Sequence, residues 1–359
     1  VVGGARRDRP RPERTPASRA IPGIDLAPII GNGWRRGDDY LTVDVWTPDP
    51  GGSGLPVMVF VHGGAFIAGE PGAAVYDGTA LARAGVVLVS VTYRLGVEGF
   101  VTFGGGATNV GLRDQLAALV WVQDNVAAFG GDPGRVTVFG ESAGGISIGC
   151  LLGSPLSRGL FRRAVVESGG ADMARSAGPM ARFAAALAAE LGVPPEAEAM
   201  RAVTFDATLT ALQVLSNPAR RGDLREPDGI DPGFGLGGCL PVIGDDVLPE
   251  HPREAVIAGS AAEVDLVVGS NSEEMNLYYV PTGVADAVTD AQVRAMLGAV
   301  HPRPDELLAA VTGPGTTPGQ ALTLVMNDLV FQGPARWLAQ AHAGTGAGRT
   351  YAYDFAWRS

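Results

Sequence analysis

The sequence predicts an α/β protein with a mostly parallel sheet covered by helices on both faces. Three observations carry this. Short continuous apolar runs recur along the chain, segments of helical period separate them, and Gly (52 residues) and Pro (26) punctuate the joins without a Gly-X-Y repeat. At 359 residues, 46% hydrophobic and 18% charged, the chain is large enough to bury a substantial core.

The elements are read in order. Residues 41–47 (LTVDVWT) alternate like a half-buried strand. The turn-forming residues 48–54 separate them from the apolar run 56–61, and the pair suggests a hairpin. VVLVSVT (86–92) is a strand, and residues 112–129 form a helix whose face includes Leu116, Leu119, Val120 and Val126. A strand at 136–139, a Gly-Glu-Ser-Ala-Gly turn, a helix at 143–152 and a strand at 163–167 follow. After Ser176 the chain becomes Ala-rich, with Met180, Phe183, Leu187 and Leu191 at helical spacing, then polar and rich in Pro and Gly. Residues 177–238 read as a helical insertion or lid, and 284–320 as an outer helical region. Strands at 265–269 and 350–355 and a helix at 321–342 return to the core. The expectation is one discontinuous domain over residues 1–359; no fixed-period repeat is evident.

Composition also excludes. The formal charge is −11, and all 27 basic residues are Arg, which disfavours nucleic acid as a partner. No apolar run approaches the roughly 20 residues that span a bilayer. Cys150 and Cys239 can form at most one bridge, so no disulfide scaffold is implied. The four histidines show no H-E-x-x-H pairing or Cys/His cluster, and neither G-x-G-x-x-G nor a Walker ending is present; no metal or cofactor is expected.

The most informative segment is Gly140-Glu141-Ser142-Ala143-Gly144, between a strand and a helix. A G-x-S-x-G sequence in that context holds a serine on a sharp turn, its hydroxyl exposed above the sheet. The Ala143 N–H at the helix start would face a developing oxyanion. The loop His62-Gly63-Gly64-Ala65-Phe66 follows another strand, and its small residues let peptide N–H groups point at negative charge. Small residues would also make inert tight turns, and His62 reads as a packing residue of its loop.

Taken together, these segments resemble the type-B carboxylesterases, the branch of the α/β-hydrolases that includes para-nitrobenzyl esterases and cholinesterases. The similarity runs in order through DDYLTVDVWTP (38–48), HGGAF, YRLG (93–96), the stretch from Asn109 to Gly145, RAVVESG (163–169) and LPVIGDDVLPEHP near Leu240. It implies the α/β-hydrolase fold and ester hydrolysis with Ser142 as nucleophile. It also implies an oxyanion hole of the Gly64, Ala65 and Ala143 N–H groups, with Ala65 where the family more often has Gly. Within GSNSEEM (269–275) the implied triad acid is Glu274, and Glu273 stands at a usual Asp. Ser168 matches a serine that orients triad partners, and Glu141 a buried residue beside the nucleophile. Tyr40 replaces the cysteine of an amino-terminal disulfide, which fits a bacterial, less secretory form and slightly favours a cytoplasmic location over a secreted one.

A serine esterase needs a base of near-neutral pKa, a task for imidazole. His62, His251, His301 and His342 all miss the family position, a Gly-x-x-His motif on a loop after the strand that TYAYDF resembles. The expectation is a chain shortened at both ends, with its catalytic histidine beyond Ser359; an unusual recruitment of His342 is the alternative. The implied partner is a small ester. Amide, carbamate or lactone hydrolysis would use the same residues, and a non-catalytic binding module is the reading from another class.

Overall fold

A computed structural model describes residues 39–357; the amino-terminal stretch and the first residue of the DDYLTVDVWTP segment lie outside them. Among the described residues seven strands form one sheet: β1 (Val43–Trp46), β2 (Leu55–Val61), β3 (Val87–Val91), β4 (Gly131–Glu141), β5 (Arg163–Glu167), β6 (Asp265–Asn271) and β7 (Thr350–Phe355). Their spatial order is β1-β3-β2-β4-β5-β6-β7, with β1 antiparallel to β3 and every other pairing parallel.

The expected hairpin between the first two strands does not form. β3 lies between them, pairing Val43 with Val91 on one side and Val61 with Val91 on the other. Burial explains the arrangement. All five residues of β3 are buried, so it must be an interior strand, whereas β1 is half-buried throughout and takes the edge.

Helices cover the sheet. The principal ones are α1 (Val110–Asn125), α2 (Ala143–Gly153), α3 (Ala177–Leu191), α4 (Phe205–Leu215), α5 (Pro252–Ile257), α6 (Asp290–Gly298), α7 (Pro304–Val311), α8 (Pro318–Asn327) and α9 (Gly333–Ala343). α1 buries Leu112, Gln115, Leu116, Leu119 and Val122, and Val126 is buried just beyond it; Val120, assigned to that face from sequence, is 46% exposed. Val120 lies beside Leu119 in sequence but about 100° further around the helix, where the sheet no longer reaches. The single helix expected at 321–342 is α8 and α9 joined by a π turn at Asp328–Gln332.

α2 is buried along its whole length, so it is apolar or small on every side. Between β3 and β4 the chain crosses over β2, which makes the gap between the carboxyl ends of β2 and β4 a topological switch point. Open α/β sheets bind ligands in such gaps. No helix among the described residues is long and apolar enough to cross a membrane.

Candidate active site

The loops after β2, β4, β5 and β6 meet at this edge of the sheet. β4 ends at Glu141, and Ser142 follows with φ 55° and ψ −121°, a backbone conformation costly for a residue with a Cβ. The turn is over-determined by its surroundings. The Ser142 N–H donates to the Glu167 carbonyl (2.9 Å), and its carbonyl accepts the N–H of Ile146 (2.8 Å). A Cβ at Gly144 would lie 2.0 Å from the Val61 carbonyl oxygen, so only glycine lets α2 start this close to β2. Ala143 opens α2, and its N–H therefore has no acceptor within the helix.

The loop after β2 packs directly against this turn. A Cβ on Gly63 would meet Ser142 Cβ at 3.2 Å and the Glu141 carbonyl at 2.8 Å. The N–H groups of Ile67 and Ala68 both reach the Gly64 carbonyl, at 3.0 and 2.9 Å, which curls the loop. Gly64 has φ 117°, and Ala65 and Phe66 hold φ of 54° and 62°. Buried Phe66, 1% exposed and tilted against Phe100 at 4.4 Å, locks the end of the loop in this unusual conformation.

Behind Ser142, Ser168 follows β5, also at positive φ (52°), and its N–H donates to the Gly269 carbonyl (2.7 Å). Its hydroxyl donates to Glu274 Oε1 (2.5 Å), which also accepts the Asn271 N–H (2.7 Å). Both contacts fall on one carboxylate oxygen. The neighbouring Glu273 points elsewhere and accepts from Asn276 Nδ2 (3.1 Å). Glu274 thus contacts Ser168, as the two matched motifs suggest.

Glu141 departs from the expectation of a buried carboxyl: it is exposed. β4 ends there and its side chain turns toward the Gly63 loop, leaving one side open to solvent. Protein crowds the remaining sides, and this loss of hydration, reinforced by the nearby Glu274 and Glu167, pushes its pKa up to about 7.

The four histidines are spread over the molecule. His62 is 1% exposed; its Nδ1 lies 2.8 Å from the Gly63 carbonyl and its ring stacks on Tyr93 at 4.4 Å. His251 Nδ1 accepts the Arg253 N–H at the start of α5, and His301 Nδ1 accepts that of Arg303. Burial lowers the pKa of both. His342, fully buried, meets Thr350 Oγ1 at 2.8 Å and the Ala261 carbonyl at 3.1 Å. Thr350 opens β7, whereas the Glu274 loop follows Asn271, the partner of Phe355 at the other end of that strand. Five residues of strand, about 16 Å, separate the two levels.

Sequence reasoning matched several further segments without seeing that they bind one another. Asn109 pairs through both amide atoms with the Val242 backbone (2.7 Å each), Arg113 bridges Asp245 and Asp246, and Arg94 forks onto Asp114. The Asn109 and Arg113 bonds tie the matched NVGLRD and LPVIGDD segments together across more than a hundred residues, and the Arg94 fork joins YRLG to NVGLRD. Among the described residues no group of three or more His, Cys, Asp or Glu could hold a metal ion, and Cys150 and Cys239 are both buried free thiols.

With this geometry in view, the chain is similar to known esterases. A carboxylesterase-family profile matches residues 15–359. The para-nitrobenzyl esterase of Bacillus subtilis (strain 168) is 35% identical over 90% of this chain and 64% of its own length. Cholinesterase 1 of Branchiostoma lanceolatum is 34% identical over 89% of this chain and 94% of its own. A solved thermophilic PNB esterase superposes with a TM-score of 0.77 at 31% identity, over 93% of this chain and 67% of that one. The chain therefore spans about two thirds of the length of the Bacillus enzyme it matches. The mostly parallel sheet is that of the α/β-hydrolase fold. With the profile spanning nearly all of it and relatives matching along most of it, the chain belongs to the carboxylesterase family.

Proposed function

We propose that this site cleaves carboxylic esters of small molecules through an acyl-enzyme on Ser142. The observation that carries the reading is the strained Ser142 turn, held between β4 and α2 by contacts that admit only glycine at position 144, with the Gly63–Gly64 loop against it. A non-glycine residue at φ 55° is costly, and a serine nucleophile presented on a strand-turn-helix corner puts that strain to use.

In the proposed reaction the Ser142 hydroxyl adds to the ester carbonyl as its proton passes to an imidazole. The N–H groups of Gly64, Ala65 and Ala143 stabilise the tetrahedral oxyanion. Protonation of the leaving alcohol collapses it to the acyl-enzyme, and water repeats the sequence to release the acid. Glu274 orients the imidazole and stabilises its charged form. Its Oε1 is held by Ser168 and Asn271, which leaves Oε2 to accept from the ring. Ser168 supports Glu274, and Glu141 borders the nucleophile.

The imidazole comes from outside the four histidines of this chain. His62 is stacked in its loop, and the other three serve helix starts or a buried contact remote from Ser142. Residues 177–238, as a lid on a single discontinuous domain, would set acyl-chain preference, with 284–320 as its outer helical region. The Arg-only, Ala- and Gly-rich composition supports a bacterial source.

The test is covalent labelling. The protein is incubated with an aryl fluorophosphonate, with and without added imidazole, and its intact mass is followed. One adduct is expected, formed faster with imidazole and absent in Ser142→Ala. Equal labelling of the alanine variant would refute the assignment of the nucleophile.

A further inference from the structure

The loop that carries Glu274 is held by more than the groups touching its carboxylate. Asn327, the last residue of α8, is 3% exposed. Its Oδ1 accepts the N–H of Met275 (3.3 Å), and its Nδ2 donates to the carbonyl of Ser272 (3.1 Å). Those two backbone groups lie on either side of Glu273 and Glu274, so a single buried amide closes the bend that presents the acid. Gln332 Nε2 donates to the same Ser272 carbonyl at 3.3 Å. From the other side, the Ser272 N–H donates to the Phe355 carbonyl and its hydroxyl to Asp354, both at 3.0 Å. The loop is pinned between the end of β7 and the turn joining α8 to α9.

That turn has the shape needed to aim both amides at one place. In a regular α-helix, residues five apart lie about 140° around the axis from each other. Asn327 and Gln332 would then face different directions. Pro334 has no N–H to donate to Val330, and the Gly333 N–H reaches the Asp328 carbonyl instead, an i→i+5 bond that widens the turn. A Cβ at position 333 would sit 2.7 Å from that carbonyl, so Gly-Pro suits this widening. Residues five apart come nearly into line, and both side chains reach Ser272.

We infer that Asn327 is a positioning residue for Glu274, acting through the backbone of Ser272 and Met275, with Gln332 as a weaker second support. The inference rests on the proposed role of Glu274. The Glu274 carboxylate can meet Ser168 and an imidazole together only while the bend holds its Cα in place. Asn327 fixes that bend at both ends without touching the reacting atoms.

The experiment is a double-mutant cycle on the labelling rate of Ser142 by an aryl fluorophosphonate, measured against imidazole concentration, with thermal melts in parallel. Asn327→Ala is expected to raise the imidazole concentration for half-maximal rate about fivefold, through the loss of both its hydrogen bonds to the bend. In a Glu274→Ala background the same change is expected to add nothing. Gln332→Ala, half-buried and making one of the bonds, is expected to shift the curve in the same direction by less, and it serves if Asn327→Ala does not fold. The positioning role is overturned if either support variant labels like the parent while Glu274→Ala labels slowly. It is equally overturned if Asn327→Ala slows labelling by the same factor with and without Glu274, the mark of a general structural loss. If Glu274→Ala itself labels like the parent, the proposed role of Glu274 fails, and the inference with it.

Discussion

Ser142, Ala65 and Ser168 share one physical property: each is a non-glycine residue held at φ between 52° and 55°. Each left-handed residue costs roughly 1–3 kcal/mol, and all three sit where the loops converge. Burial of the neighbouring Phe66 and of α2 offsets that strain. Glu141 brings a pH dependence to the same place. Folded, it holds its proton up to about pH 7; unfolded, it releases it near its ordinary value of 4.5. Between these values the folded state binds more protons. Its contribution to stability is therefore complete below about 4.5 and lost as the pH rises through about 7. Glu141→Gln should lessen the fall in melting temperature between about pH 5 and about pH 8. Parallel pH profiles for the two proteins would contradict the assignment.

Among the elements, the segment after β5 depends on a buried charge cluster. Arg175, fully buried, donates to Asp231 at 2.9 Å and to the Leu224 carbonyl; Arg221 lies 3.8 Å from the same carboxylate. Asp231 is 2% exposed, so it is the counter-ion for two guanidinium groups that water barely reaches. Removing it leaves both charges uncompensated. Asp231→Ala is expected to cost about 3–5 kcal/mol, measured by urea denaturation. A loss below about 1 kcal/mol would show that water or a shifted acid replaces it. The helical segment after β5 was legible in the sequence only as a change of composition after Ser176. Its anchor was not, because Arg175 and Asp231 are 56 residues apart and neither carries a local pattern.

At the scale of the whole molecule, the sheet among the described residues ends on β7, which pairs there only with β6. Tyr351, Tyr353 and Phe355 alternate along it and are 54%, 39% and 52% exposed, and Trp357 just beyond is 72% exposed. An apolar edge left unpaired among the described residues invites pairing with a second chain, against which a net charge of −11 gives only diffuse protection. Tyr351→Lys, placing a charge on the edge, is expected to reduce concentration-dependent association in sedimentation velocity runs. Equal association of both proteins would place the contact elsewhere.

The sequence by itself determined the strands, the helix after Ser142 and the family. Each depends on local patterns: apolar runs, helical periods and small residues at turns whose geometry tolerates nothing larger. Its short, contiguous motifs pointed to Ser142, Gly64, Ala65 and Ala143, and the family resemblance implied Ser168 and Glu274. Tertiary structure alone decided the rest. It set β3 between β1 and β2, since a strand buried on both faces cannot sit at an edge. It gave Glu141 its contact with solvent and its raised pKa, which depend on groups from two strands and the loop after β6. It placed His342 at the far end of β7 and brought Asn327 onto the Glu274 loop from 52 residues away. Long-range contacts of this kind follow from how the elements stack, and no local pattern encodes them.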